Sequence, residues 1–137
     1  MAVKQFRCSL ESLAPVREAV SSFCLESGVP EVVEGEIELA ANEVCTNIIE
    51  HGGLDPAHDN FSIDFEKESG AVVLTIRDRG KRYDFNSAKS IKNTKEMHKK
   101  RPRSGMGVFI IRQLVDAVIY NHLPDKTNEL KLVKYLK

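Results

Sequence analysis

The sequence carries no net charge: twenty Lys and Arg balance twenty Asp and Glu. No global field therefore favours nucleic acid or a membrane surface. Cysteine is scarce and odd in number, and Cys8, Cys24 and Cys45 form no C-x-x-C pair. That pattern argues against a disulfide framework and a zinc site, and for a reducing cytoplasm. Each thiol reads as a small buried hydrophobe. No run approaches the ~20 apolar residues needed to span a bilayer. The first twelve residues, MAVKQFRCSLES, lack an apolar h-region, so no signal peptide is expected. There are no internal repeats. The apolar share of 42% and charged share of 29% are those of a soluble globular protein. A length of 137 residues suits a single domain over 1–137, with a core that hides about two thirds of the unfolded surface.

Alternation over Val3–Cys8 predicts a first strand. Ser12 looks like a helix N-cap, Pro15 fits the first turn, and Leu13, Val16, Val20 and Phe23 follow at helical spacing. Gly28 is a plausible terminator. A second helix opens at Pro30 and runs to about His51, where Gly52-Gly53 ends it. Phe61, Ile63 and Phe65 alternate as in a strand, Glu68-Ser69-Gly70 supplies a turn, and AVVLTIR at 71–77 is apolar on both faces, as in a central strand. Two strands joined so closely should pair antiparallel. Residues 84–104 have no clean period and read as a long loop. A third helix is expected over Gly107–Asp116, then two closing strands, Val118–His122 and Glu129–Leu136, around a turn at Pro124-Asp125. The order predicts an α+β fold: a two-layer α/β sandwich with a mixed, mostly antiparallel sheet and the helices on one face.

Three stretches carry candidate chemistry. On the second helix Glu43, Asn47 and His51 are four apart. Taking Ile37 as zero at about 100° per residue, Ala41, Val44 and Ile48 fall within about 40° of it, and the polar trio at about 240°, 280° and 320°. The polar stripe thus borders the core, so Asn47 and His51 should be half buried. An Asn oxygen can ligate Mg²⁺ without cancelling its charge, and a carboxylate one turn away can accept a proton. Such border stripes are more often structural than functional. In Ile76-Arg77-Asp78-Arg79-Gly80, Asp78 leaves the most apolar strand, where a carboxylate can accept from an exocyclic amine such as adenine N6. Gly80 would let the backbone turn close to a flat ring. An isolated D-x-G is more often a plain turn. Finally, Arg103-Ser104-Gly105-Met106-Gly107 leads into an apolar helix. Exposed N–H groups and a helix N-terminus suit phosphate, and Arg103 can pair with a terminal phosphate. This is not a Walker A loop, since no G-K-[ST] follows, nor a dinucleotide fingerprint, since no strand closely precedes it. An ordinary helix start is the plain alternative.

Taken in order, ELAANEVCTNIIEHG, IRDRGKRYDF and RPRSGMGVFIIRQLVDAVIY resemble the N, G1 and G2 boxes of the GHKL (Bergerat-fold, histidine kinase-like) ATPases, in the RsbW/SpoIIAB-type branch of anti-sigma factor serine/threonine kinases. The resemblance implies ATP and Mg²⁺ as cofactors. It implies that Asn47 coordinates Mg²⁺, that Glu43 is the general base, and that Asp78 holds the adenine amine with Gly80 shaping the pocket. Tyr83 takes a place usually held by an aromatic. Ser104, Gly105, Met106 and Gly107 would line the phosphates, with Arg103 near the γ-phosphate, and residues 84–104 would form the ATP lid. Lys89, Lys92, Lys95, Lys99, Lys100, Arg101 and Arg103 there would suit a triphosphate; a solvated loop is the plainer meaning of such a run. No aromatics are interleaved for stacking on nucleic acid.

The implied function is a cytoplasmic, ATP-dependent kinase that binds a sigma factor and phosphorylates a serine on an anti-sigma factor antagonist, as a homodimer, with no direct nucleic acid or membrane partner. A catalytically inactive, ATP-gated binding module of the same fold is the alternative. Two departures stand out. Arg82 occupies a place where the superfamily often has a second glycine. The last strand often carries a threonine near the adenine; by count Glu129 falls there, with Thr127 close by, and neither is assigned.

Overall fold

The computed structural model describes residues 2–82 and 103–136, the latter without the side chains of residues 103–108. The elements run β1 (Ala2–Arg7), a single 3-10 turn (Leu10–Ser12), α1 (Leu13–Glu26), α2 (Glu31–His51), β2 (Asn60–Glu68), β3 (Ala71–Asp78), α3 (Arg103–Leu114), β4 (Ala117–His122) and β5 (Asn128–Tyr135). The five strands form one sheet in the order β1-β2-β3-β5-β4. Every pairing among the described residues is antiparallel, so the expected mixed sheet is a wholly antiparallel one.

Register puts Phe61, Ile63 and Phe65 of β2 beside Leu74 and Ile76 of β3, and these beside Leu130 and Leu132 of β5. All are buried and share one core with Val16, Val20 and Cys24 of α1 and Ile37, Ala41 and Val44 of α2. The helices therefore cover one face. β3 lies between β2 and β5, and Ala71 to Ile76 are all buried, which explains its lack of alternation.

Local chemistry sets the boundaries. Ser12 sits at the N-cap position of α1 but makes no side-chain cap; its Oγ donates to the Arg7 carbonyl at 2.6 Å. Ser9 caps instead, accepting from the Glu11 amide at the preceding turn. Gly28 and Gly70 have φ of 74° and 77°, where any side chain would be strained. Glu31 and Glu34 favour the positive start of α2. Helix α3 begins at Arg103, four residues before the expected Gly107, so Gly105 and Gly107 are helical.

Helices α1 and α2 are joined by Ser21 Oγ donating to Glu34 (2.7 Å) and Arg17 donating to Asn42 (3.0 Å). Lys134 of β5 pairs with Glu36 of α2 (3.0 Å) and donates to the Leu114 carbonyl at the end of α3 (2.7 Å). The three cysteines are free and buried, and burial pushes Cys8 and Cys24 up to about 11 and Cys45 up as well. Their thiols are inert packing groups. No helix among the described residues is long and apolar enough to cross a membrane.

A core on one face of the sheet makes a testable contrast. Leu74→Ala should cost about 3 kcal/mol in urea unfolding, whereas Leu25→Ala, at a position 78% exposed, should stay within about 0.5 kcal/mol. A cost below about 1 kcal/mol at Leu74 would contradict this core.

Candidate functional site

The sequence stripe on α2 reaches a cavity between that helix and the sheet. Val44, Ile48, Ile76, Ile111 and Leu130 form its apolar floor, and Asn47, His51, Asp78, Lys81, Arg82 and Tyr120 bring polar groups to its walls. It holds about 540 Å³ of free space, its open mouth included. An apolar floor with a few convergent polar groups is the character of a small-molecule site. Of the groups the helical wheel placed, Ile37, Ala41 and Val44 are buried and Ile48 and Asn47 are partly exposed, whereas His51, expected half buried, is exposed, its side chain at 43%. Glu43, one turn before Asn47, is partly exposed but does not line the cavity.

Asp78 ends β3 on the helix-facing side. Its Oδ1 accepts from the Gly80 amide at 2.7 Å and from Asn128 Nδ2 at 3.0 Å. Its Oδ2 has no hydrogen bond from any described residue. Burial raises the Asp78 carboxyl above the usual carboxylate range, and the bonds from Asn128 and Gly80 oppose that rise. A partly buried carboxylate held above its usual range in a cleft is a physical mark of a functional group.

The turn after Asp78 is pressed against the end of α2. The Lys81 amide donates to the Gly52 carbonyl at 2.9 Å. A Cβ on Gly80 would lie 2.7 Å from that same carbonyl oxygen, so only glycine fits without moving backbone. Gly52 in turn closes α2, its amide donating to Ile48 O at 3.0 Å. The D-x-G turn is thus more than a strand ending: it forms the cavity wall.

The structure brings Asn47 and Asp78 together on this cavity; Gly80 does not line it but sits between the lining residues Asp78 and Lys81, packed against the end of α2. Tyr83 and residues 84–102 of the expected lid lie outside the described residues. Arg103, Ser104, Gly105, Met106 and Gly107 occupy the first turn and a half of α3, not a loop before it; their side chains are outside the described part.

Sequence reading missed Asn128. Its count pointed to Glu129, but Glu129 lies on the opposite face, paired with Arg77 at 3.0 Å. Asn128 stands directly opposite Asp78 and is 3% exposed. Its Nδ2 also lies 2.9 Å from the Gly80 carbonyl and 3.3 Å from that of Lys81. Its Oδ1 receives the Tyr120 hydroxyl (3.0 Å) and His122 Nδ1 (2.7 Å). The signal was present: Leu130 and Leu132 face inward, so period two puts residue 128 inward as well.

The family profile described as the histidine kinase-like ATPase domain matches residues 6–134. The anti-sigma F factor of Oceanobacillus iheyensis is 31% identical over 132 residues, covering 92% of this chain and 86% of that protein. Serine-protein kinase RsbW of Bacillus cereus is 27% identical over 105 residues, 74% of this chain; the match spans 64% of the relative's length, just under two thirds. Among solved structures, the RsbU and RsbW domains of a Mycobacterium tuberculosis protein align with a TM-score of 0.66 at 16% identity, covering 99% of this chain and 33% of that one. A chain of the SiaB-SiaC complex of Pseudomonas aeruginosa aligns at 0.67 and 13%, covering 99% and 90%. At such identities the structures attest the fold.

The raised Asp78 carboxyl has a consequence for stability. The folded state holds its proton more tightly than the unfolded chain does, so ionised Asp78 weighs against folding at neutral pH. That weight lifts as pH falls through its raised value. Asp78→Asn should therefore leave the ligand-free melting midpoint at pH 7 unchanged or higher, measured by calorimetry. A fall of about 3 °C or more would contradict it.

Proposed function

The chain belongs to the histidine kinase-like ATPase domain family, in its RsbW-type branch, and on that premise we propose that it binds Mg-ATP in the α2–sheet cavity and phosphorylates a serine of an anti-sigma factor antagonist. In the same reading it sequesters a sigma factor and works as a homodimer in the cytoplasm. The observation that carries the proposal is Asp78: a partly buried carboxylate lining an apolar cavity, with Oδ1 held by the Gly80 amide and Asn128 and with no bond to Oδ2 from any described residue.

The adenine ring would lie on the apolar floor and its amine would donate to Asp78 Oδ2. Gly80 would shape the pocket indirectly, by letting the turn after Asp78 close on Gly52 at the end of α2. Asn47 would offer its amide oxygen to Mg²⁺. Among the described residues no three His, Cys, Asp or Glu side chains converge to hold a metal. Mg²⁺ usually keeps several waters and takes few protein ligands besides the substrate phosphates. When bound, the ion would neutralise charge on the transferring phosphoryl group. The first-turn amides of α3, around Ser104, Gly105 and Met106, lack intrahelical partners and would meet the phosphates, with Gly107 and Arg103 beside them. Lys81 and Arg82 add positive charge at the wall. Glu43, one turn from Asn47 and outside the cavity floor, would take the proton of the incoming serine. Most of the acceleration would come from positioning and charge neutralisation.

Isothermal titration should show Mg-ATP binding that Asp78→Asn weakens at least about tenfold. Wild-type affinity in that variant would reject the adenine assignment. With labelled ATP and candidate antagonist proteins, Glu43→Gln should retain ATP binding and lose phosphate transfer by about a hundredfold or more. Unchanged transfer would remove Glu43 as the base. A wild-type protein that binds ATP and partners but transfers nothing would be the ATP-gated module instead.

A further inference from the structure

We infer that Asn128 is a positioning residue that fixes the Asp78 carboxylate so that a single oxygen, Oδ2, reads the ligand's amine. The inference rests on the proposed reading of Asp78 and assigns a role to a strand residue that does not itself touch the base.

The sense of the Asn128 amide follows from its surroundings. Three acceptors crowd the nitrogen: Asp78 Oδ1 at 3.0 Å and the carbonyls of Gly80 and Lys81 at 2.9 and 3.3 Å. Two groups able to donate approach the oxygen: the Tyr120 hydroxyl at 3.0 Å and His122 Nδ1 at 2.7 Å. Reversing the amide would set its oxygen against a carboxylate and two carbonyls, none of which can donate, whereas the Tyr120 hydroxyl and His122 Nδ1 can meet either end of the amide. The side chain is therefore locked in one orientation, at a residue only 3% exposed. Its two hydrogens are spent on protein acceptors, so it has none to offer a nucleotide.

The effect falls on Asp78. Two donors from different elements, the Gly80 amide in the exit turn and Asn128 on β5, both hold Oδ1. A carboxylate gripped at one oxygen from two directions cannot swing about its terminal bond. Oδ2 then stands as a pre-set acceptor, and the amine gains its hydrogen bond with no loss of side-chain freedom at the moment of binding. The same amide ties down the Gly80 and Lys81 carbonyls. Asn128 thus aligns the reading oxygen and the backbone beneath it together.

The test is differential. The full-length protein is titrated with Mg-ATP and with Mg-purine riboside triphosphate, which lacks only the exocyclic amine. The wild type should prefer ATP by about tenfold or more, since a site built for an N–H rejects an analogue without it. In Asn128→Ala that preference should shrink to about twofold, while affinity for the amine-less nucleotide stays within about twofold of wild type. Retained preference in Asn128→Ala overturns the inference. Equal loss of affinity for both nucleotides overturns it as well, because it marks a purely structural residue. Absence of any preference in the wild type instead overturns the reading of Asp78. Should Asn128→Ala show no cooperative melt, Asn128→Ser carries the test: it keeps a small polar side chain on β5 and removes the amide that reaches Asp78 Oδ1. Its preference for ATP should fall about threefold, and an unchanged preference overturns the inference.

Discussion

A carboxylate partly withdrawn from water at the end of the most buried strand is the constraint around which this molecule is arranged. Ionised Asp78 is costly in that place unless its oxygens find donors. One donor is local, the Gly80 amide two residues on. The other comes from Asn128, at a register position that exists only because β5, not β4, lies beside β3. The strand order β1-β2-β3-β5-β4 sends β4 to the edge and brings the last strand into the centre. Sheet topology and site chemistry are therefore one arrangement: the partner that completes the apolar floor with Leu130 also delivers the amide that steadies the carboxylate.

The helix layer is fitted to the same point. α2 stops where Gly52 can offer its carbonyl to the Lys81 amide, and Gly80 lets the two backbones meet without an intervening side chain. This seam sets how far the polar border of α2 stands from the end of β3, and so how Asn47 and Asp78 face one cavity. At the far end of the layer, Lys134 bridges Glu36 of α2 and the last carbonyl of α3. Its ammonium is largely shielded, with a side chain 15% exposed. The pairing thus fixes relative helix position as well as adding to the charge balance.

Much of this was legible from the chain itself, because the features concerned are local. The 3.6-residue period marked α1 and α2 and placed Asn47 and His51 on the border of the core. Apolar residues on both faces marked β3 as central and put Asp78 at its exit. Gly52 and Gly80 stood out as breakers, although their mutual contact could not be seen from either alone. What escaped depends on pairing between distant segments. Glu129 and Asn128 differ by one position, and one position in a strand is a change of face; only the β3–β5 register decides between them. Ser12 has the composition of a cap, but the Arg7 carbonyl competes for its hydroxyl. The start of α3 was misplaced because glycine is a poor helix former, and its neighbours gave no clear period.

Asp78 and Asn128 are fifty residues apart in sequence yet adjacent in the sheet. The entropy of closing so wide a loop grows only with the logarithm of its length, roughly 0.6 kcal/mol for each doubling. Chain can therefore be added or removed between the two central strands at small thermodynamic expense, provided α3 and β4 still dock. Length between the two strands is thereby thermodynamically cheap to change, whereas the register that sets Asn128 opposite Asp78 is not: a slip of one position would turn the amide to the other face of the sheet.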